Sequence, residues 1–234
     1  MKFGVITFPG SNCDYDAYAA VKFSLGEEVD FLWHADSDLK GSDVVILPGG
    51  FSYGDYLRTG SIARFSPIMK KVIEFAHEGG TVWGICNGFQ ILLEAGLLPG
   101  AMLRNKSLRF VCRYVDLRVE TTNSRLTCSM QKGDVLSIPI AHSDGNYFVD
   151  QKILAGMKER DQVMFRYSTP DGKLSPEANP NGSIDDIAGI CNAERNVFGM
   201  MPHPERSTED ILNSSDGLKL FESVRQHFEE KVKV

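Results

Sequence analysis

Thr81-Val82-Trp83-Gly84-Ile85-Cys86-Asn87-Gly88-Phe89-Gln90 runs from an apolar stretch, through a turn bracketed by two glycines, into a second apolar segment. Thr81 to Ile85 is short, bounded by Gly79-Gly80 and rich in β-branched and aromatic residues, which predicts a buried strand. Gly88 to Ala95 predicts a helix. Gly84 and Gly88 stand two residues on either side of Cys86. That spacing is G-x-C-x-G, the cysteine counterpart of the serine nucleophile elbow. Side chains at the two glycine positions would collide with the crossing backbone. A helix N-terminus behind Cys86 carries partial positive charge and free N–H groups, which favours a thiolate. The Asn87 N–H is placed to stabilise an oxyanion. A buried cysteine in a tight turn is the plain alternative.

The flanking sequence repeats the strand-to-helix order. Phe3 to Phe8 reads as a strand closed by Pro9-Gly10, and Asp14 to Leu25 as a helix stopped by Gly26. Val29 to Trp33 and Asp43 to Leu47 read as further strands. In the latter Val44-Val45-Ile46-Leu47 is apolar at every position, which suits a parallel strand covered on both faces. A loop rich in Gly, Tyr and Ser follows from Gly49 to Gly60. Pro67 opens a helix to about His77. This β-α-β-α order predicts a three-layer α/β fold, a mostly parallel sheet with helices on both faces. Sites in such sheets lie beyond the carboxyl ends of the strands. The second half is richer in strands, with candidates at Val111 to Val119, Val135 to Ile140, Val163 to Tyr167, Ile187 to Ala193 and Val197 to Met201. A last helix, about Gly217 to Glu230, places Leu218, Phe221, Val224 and Phe228 on one face. No repeat or linker interrupts the 234 residues, and a single domain is expected over 1–234.

Composition narrows the class. Apolar residues make up 42% and charged residues 24%, which is ordinary globular usage and sets disorder aside. The net charge of −6 argues against a nucleic-acid surface. No apolar run is long enough to span a bilayer, and Met1 to Ile6 reads as strand rather than signal peptide. Five cysteines, Cys13, Cys86, Cys112, Cys128 and Cys191, form no C-x-x-C pair, so a reduced cytoplasmic protein without a metal site is expected. Cys112, Cys128 and Cys191 lie in apolar stretches and read as packed core, and His34, His77 and His227 lack a partner pattern.

The partner for Cys86 is sought in Met201-Pro202-His203-Pro204-Glu205. A residue before proline is pushed toward extended backbone, and side chains two apart on extended chain share a face. Glu205 would then hold one imidazole nitrogen of His203 while the other serves Cys86, giving a Cys-His-Glu triad. Gly49-Gly50 closes the neighbouring strand, so the Gly50 N–H is a second oxyanion donor. A surface histidine beside a glutamate, and a plain glycine turn, are the simpler readings of each motif taken singly.

Taken together, Leu47-Pro48-Gly49-Gly50, the elbow through Phe89-Gln90, and His203-Pro204-Glu205 resemble the class I (triad) glutamine amidotransferases. The longer motifs Pro9-Gly10-Ser11-Asn12-Cys13-Asp14, Gly50 to Arg58, Ala178 to Ser183 and Met201 to Arg206 resemble the glutaminase subunits of phosphoribosylformylglycinamidine synthases of purine biosynthesis. The resemblance spans nearly the whole chain. It implies a flavodoxin-like fold and hydrolysis of glutamine through a Cys86 glutamyl thioester. It also implies glutamine contacts from Gly50, Phe51, Gln90 and Asn146, and a substrate-side loop at His142 to Tyr147. Asp144 stands where the family has glutamate, and Arg195 where glycine is usual. No phosphate-binding loop or dinucleotide fingerprint is present, yet making an amidine from an amide needs ATP. The resemblance therefore implies a PurL-type synthetase partner that holds ATP and Mg, with a PurS-type small subunit beside it, and weak glutaminase activity from the chain alone. The competing expectations are a stand-alone cysteine hydrolase such as a γ-glutamyl hydrolase, a redox sensor of the DJ-1 kind, and a flavodoxin-like binding module.

Overall fold

The computed structural model describes residues 1–232. β1 (Lys2–Thr7) leads into α1 (Asp14–Ala19), which continues as a π-helical stretch over Ala20–Leu25 and stops at Gly26, φ 80°. β2 (Glu28–Trp33), β3 (Val44–Leu47), α2 (Pro67–His77), β4 (Thr81–Ile85) and α3 (Asn87–Glu94) follow. Beyond them lie β5 (Ala101–Leu103), β6 (Val111–Val119), β7 (Val135–His142), β8 (Asn146–Phe148), α4 (Gln151–Glu159), β9 (Val163–Ser168), β10 (Ile187–Cys191), β11 (Val197–Met200) and α5 (Asp216–Val232). Nine strands make one sheet in the order β2-β1-β3-β4-β11-β10-β9-β6-β7, and β5 pairs with β8 apart from it. Pairing is parallel from β2 to β11. From β11 to β7 it is antiparallel. The strand-rich second half thus extends the sheet of the first.

Every residue of β3 and β4 is buried, which accounts for their unbroken apolar runs. On β4 the Trp83 ring packs on Phe221 of α5 at 4.7 Å between centroids. A Cβ on the next residue, Gly84, would stand 2.6 Å from Leu92 of α3. Successive strand residues point to opposite faces, so α5 and α3 cover opposite sides of the sheet. β5, β8 and α4 are absent from the sequence expectations. The two strands have three residues each, too few for a periodic signal. The local signal for α4 is its cap, Asp150, which accepts from the Lys152 N–H at 2.8 Å.

Two expectations are corrected. Cys191 is core, but Cys128 is only partly buried and Cys112 is exposed. On β6 the inward positions are Val115, Leu117 and Val119, and Cys112 falls on the outward parity. Arg195 occupies a left-handed turn, φ 58°, between β10 and β11. Its guanidinium donates to the carbonyls of Asn123 (2.9 Å) and Asp161 (3.1 Å), contacts a glycine could not make.

Candidate active site

β4 ends directly on the nucleophile candidate. Cys86 adopts φ 50°, ψ −104° immediately before α3, a strained conformation for a residue with a side chain. Its cost is about 1–3 kcal/mol and must be imposed by the surroundings. They are tight. A Cβ at Gly88 would lie 1.9 Å from the Leu47 carbonyl oxygen at the end of β3, and one at Gly84 would lie 2.6 Å from the Gly88 oxygen. The Cys86 N–H donates to Met200 of β11 at 2.8 Å, fixing the elbow to the neighbouring strand. The side chain is buried, with Sγ 3.9 Å from the Ala141 carbonyl oxygen.

His203 and Glu205 are both buried, and His203 Nδ1 meets Glu205 Oε1 at 2.7 Å. The pairing arises differently from the extended segment expected. Pro204–Arg206 forms a single 3-10 turn, with His203 (φ −105°, ψ 84°) just outside it. Proline suits the first position of such a turn, where its missing N–H is not needed. The His203 N–H donates to Pro139 of β7 at 2.8 Å. His203 Nε2 is buried with no partner of its own. Burial alone would strip the imidazole of its proton. The Glu205 carboxylate, with the Cys86 sulfur, outweighs it and holds His203 well above the ordinary histidine range. His203 is therefore poised as a proton donor.

The expected oxyanion donors flank the thiol. Gly50 has φ 139°, and a Cβ there would stand 2.7 Å from the Asn12 nitrogen, so only glycine fits. Asn87 is the first residue of α3, where the N–H has no acceptor within the helix. The Asn87 side chain ties the wall together. It accepts from the Ser52 N–H (3.1 Å) and donates to Gln90 Oε1 (2.9 Å), and Gln90 Nε2 donates to the Asp144 carbonyl (2.6 Å). These residues enclose a cavity of about 40 Å³ lined by Gly50, Phe51, Asp55, Thr59, Cys86, Gln90 and the segment from Ala141 to Asp144.

Of the expected glutamine contacts, Gly50, Phe51 and Gln90 line this cavity and Asn146 does not. Asn146 begins β8, paired with Leu103, and its amide nitrogen faces Gly182, 3.4 Å from where a Cβ there would stand. His142, expected only as part of a substrate-side loop, lines the cavity too, and sequence reasoning misses Asp55 and Thr59 there. These two stand in or beside the loop already matched after β3, and His142 heads the loop after β7. Cys13, unassigned from sequence, packs beside the pair. Its sulfur accepts from Arg206 Nη2 at 3.1 Å, and the ligating atoms of Cys13, His203 and Glu205 lie within 4.8 Å of one another. Sequence spacing gives no sign of this cluster. Nδ1 is already engaged by Glu205, and the Arg206 guanidinium faces the sulfur, so the set reads as packing around the histidine rather than a cation site.

A parallel sheet with a cysteine on its elbow and a buried His–Glu pair from the adjoining strand end is the arrangement of α/β enzymes that work through a thiol. The chain belongs, more narrowly, to the family of CobB/CobQ-like glutamine amidotransferase domains, whose sequence profile matches residues 1–228. It is 57% identical over 224 residues to the phosphoribosylformylglycinamidine synthase subunit PurQ of Koribacter versatilis, covering 96% of this chain and 97% of that one. The PurQ of Moorella thermoacetica is 58% identical, with 96% and 95% covered. Among solved structures, PurLQS of Thermotoga maritima contains a chain that superposes with a TM-score of 0.86 at 41% identity, covering 97% of this chain and 98% of that one. A glutamine amidotransferase of Thermotoga maritima shares the fold at 15% identity, TM-score 0.56, with 99% and 85% covered.

Proposed function

We propose that this chain is the glutaminase subunit of a phosphoribosylformylglycinamidine synthase. It hydrolyses glutamine to glutamate and ammonia, and the ammonia serves an ATP-dependent PurL-type synthetase in purine biosynthesis. The observation that carries the reading is the buried His203–Glu205 pair beside a strained Cys86, in a chain 57% identical over 96% of its length to a PurQ protein. A cytoplasmic location and a PurS-type small subunit belong to the same reading. No helix among the described residues is long and apolar enough to cross a membrane. Neither a stand-alone γ-glutamyl hydrolase nor a DJ-1-like sensor is favoured.

The chemistry follows from the geometry. With its proton already passed to His203, the Cys86 sulfur attacks the side-chain amide carbon of glutamine, and the carbonyl oxygen becomes an oxyanion facing the Gly50 and Asn87 N–H groups. His203 gives its proton to the departing nitrogen, the C–N bond breaks, and ammonia leaves a glutamyl thioester. His203, now neutral, takes a proton from water, which attacks the thioester; glutamate is released and the Cys86 thiolate is restored beside protonated His203. Glu205 holds Nδ1 through both steps. These steps use no cofactor in this chain; ATP and Mg are assigned to the synthetase.

A cavity of about 40 Å³ has room for roughly one water molecule, far less than a glutamine side chain needs. The Gln90–Asp144 bond draws the two loops together across it. Glutaminase activity is therefore expected to be weak in the isolated chain and to rise at least about 10-fold with a PurL-type synthetase, as docking opens and orders the pocket. The test is glutamate release with and without that synthetase, beside Cys86→Ala. Cys86→Ala is expected to abolish release in both settings. Equal rates with and without the synthetase would refute the docking dependence, and a fully active Cys86→Ala variant would refute the mechanism.

A further inference from the structure

The turn that carries the histidine is tied down on two sides. On one side the His203 N–H donates to Pro139 of β7. On the other, Arg206, next after Glu205 and last in the turn, reaches to the start of α1. Its Nε donates to Asp16 Oδ2 at 2.9 Å and its Nη2 to the Cys13 sulfur at 3.1 Å. Cys13 is itself fixed. It stands immediately before α1 and is buried. Its N–H donates to the Gly49 carbonyl, just past β3, at 3.3 Å, and its own carbonyl accepts from the Ala17 N–H at 3.0 Å. The thiol donates to Asn12 Oδ1 at 3.3 Å. One residue therefore joins α1, the end of β3 and the histidine turn.

The imidazole sits inside this frame. A Cβ at Gly49 would stand 2.6 Å from His203 Cε1 and 3.1 Å from the Cys13 sulfur, so ring edge and sulfur crowd the same glycine. Glu205 Oε1 is spent on His203 Nδ1, and Oε2 is buried with no hydrogen-bond partner among the described residues. One hydrogen bond leaves a carboxylate free to pivot, so its aim depends on the backbone that carries it. A buried carboxylate also needs a charge to balance it. Protonated His203 supplies that charge in one half of the cycle, and not after its proton has gone to ammonia. Arg206, the next residue, is a cation throughout. Burial works against its charge, and Cys13, Asp16 and Glu205 outweigh that.

We propose that Arg206, braced on Cys13 and Asp16, is a positioning residue that sets how the His203–Glu205 pair meets Cys86. This rests on the glutaminase reading above and adds to it two residues outside the cavity, since neither Arg206 nor Cys13 lines it. Without the brace the turn keeps its bond to β7 and loses those to Cys13 and Asp16, and the imidazole is free to tilt away from the Cys86 sulfur. The Arg206 and Asp16 side chains are 36% and 38% exposed, and a pair so exposed adds little to stability by itself. Its effect is on aim, and its loss shows in the chemical step rather than in melting.

The kinetic test uses the chain together with its PurL-type synthetase. Arg206→Leu is expected to lower kcat by about 10- to 100-fold, the cost of a misplaced catalytic group. The KM for glutamine should stay within about twofold, and Tm within about 4 °C of wild type. Cys13→Val, which keeps the bulk and removes the acceptor, should lower kcat in the same way. Cys13→Ser, which restores an acceptor for Arg206, should recover most of that loss. A rise in KM with kcat unchanged, a wild-type kcat in Arg206→Leu, or a fall in kcat no larger than the loss of folded protein would overturn the proposal and leave the glutaminase reading standing. A second arm needs neither glutamine nor synthetase. In the chain alone, the low-field proton of the His203 Nδ1–H bond to Glu205, assigned by its absence in Glu205→Gln, should be seen by NMR in wild type and be lost to exchange in Arg206→Leu. A signal that persists there would overturn the proposal as well. If the wild-type complex releases no glutamate, the glutaminase reading falls, and the NMR arm alone decides the role of Arg206.

Discussion

Leu47 and Gly88 meet where the end of β3 passes the first turn of α3, and nothing larger than hydrogen fits between them. A methyl at Gly88 would sit 1.9 Å from the Leu47 oxygen, and neither partner is a flexible side-chain tip. Gly88→Ala should cost roughly 1–3 kcal/mol or more, lower Tm by several degrees, and remove glutaminase activity by shifting the elbow. A melting curve and an assay in the presence of the synthetase check both. Asp55 gives a pH-dependent counterpart. Its carboxyl titrates near 6 in the folded chain against about 3.9 when unfolded. Between those values the folded state keeps a proton that the unfolded chain releases. Its contribution to stability is thus full below about pH 4 and is lost as pH rises through 6. Asp55→Asn removes that loss. Discounted for partial exposure, it should raise Tm by about 2–4 °C at pH 8 and leave it unchanged near pH 4. An equal gain at both pH values would exclude this account. Cys86, His203 and Glu205 are legible in the sequence because a turn and a proline constrain their neighbours locally. Asp55 is not, because a long loop carries it into the cavity and only tertiary packing says where a loop residue points.

α5 shows how an element on the far face is separable from the chemistry. Phe221 is fully buried on Trp83. Phe221→Ala should cost roughly 3–5 kcal/mol and lower Tm by about 10 °C. The kcat of the remaining folded protein at low temperature should be unchanged, because α3 and the elbow occupy the other face. A kcat change larger than the loss of folded protein would contradict that separation. The apolar face of α5 and both ends of α2 follow from sequence, since periodicity, Pro67 and the Gly79-Gly80 pair are local signals. The turn at Pro204–Arg206 does not. The proline rule makes its residues extended, and it is the contacts of His203 and Arg206 with β7, α1 and Cys13 that close it into a helical turn.

In the molecule as a whole, the parallel half is legible because strands that alternate with helices pair in parallel with a fixed hand of crossover, although β3 returns beside β1 rather than beside β2. The continuation from β11 through β10, β9 and β6 to β7 is not, because antiparallel strands far apart in sequence carry no marker of which edge they join. β11 makes that junction, and it has a consequence for how the protein is made. It is the last strand in the chain, yet it is fifth of nine in the sheet, between β4 and β10. As the chain leaves the ribosome, β4 and β10 present bare edges until residues 197–200 appear, and such edges invite pairing with other chains. His203 and Glu205 follow within five residues. The thiol on β4 is therefore synthesised more than a hundred residues before the groups that would arm it, and the strand that seals the sheet delivers them. A nascent chain stalled near residue 190 should aggregate and release no glutamate, while one extended past α5 should stay soluble and release it with the synthetase, so assembly of the enzyme and its ignition are a single late event.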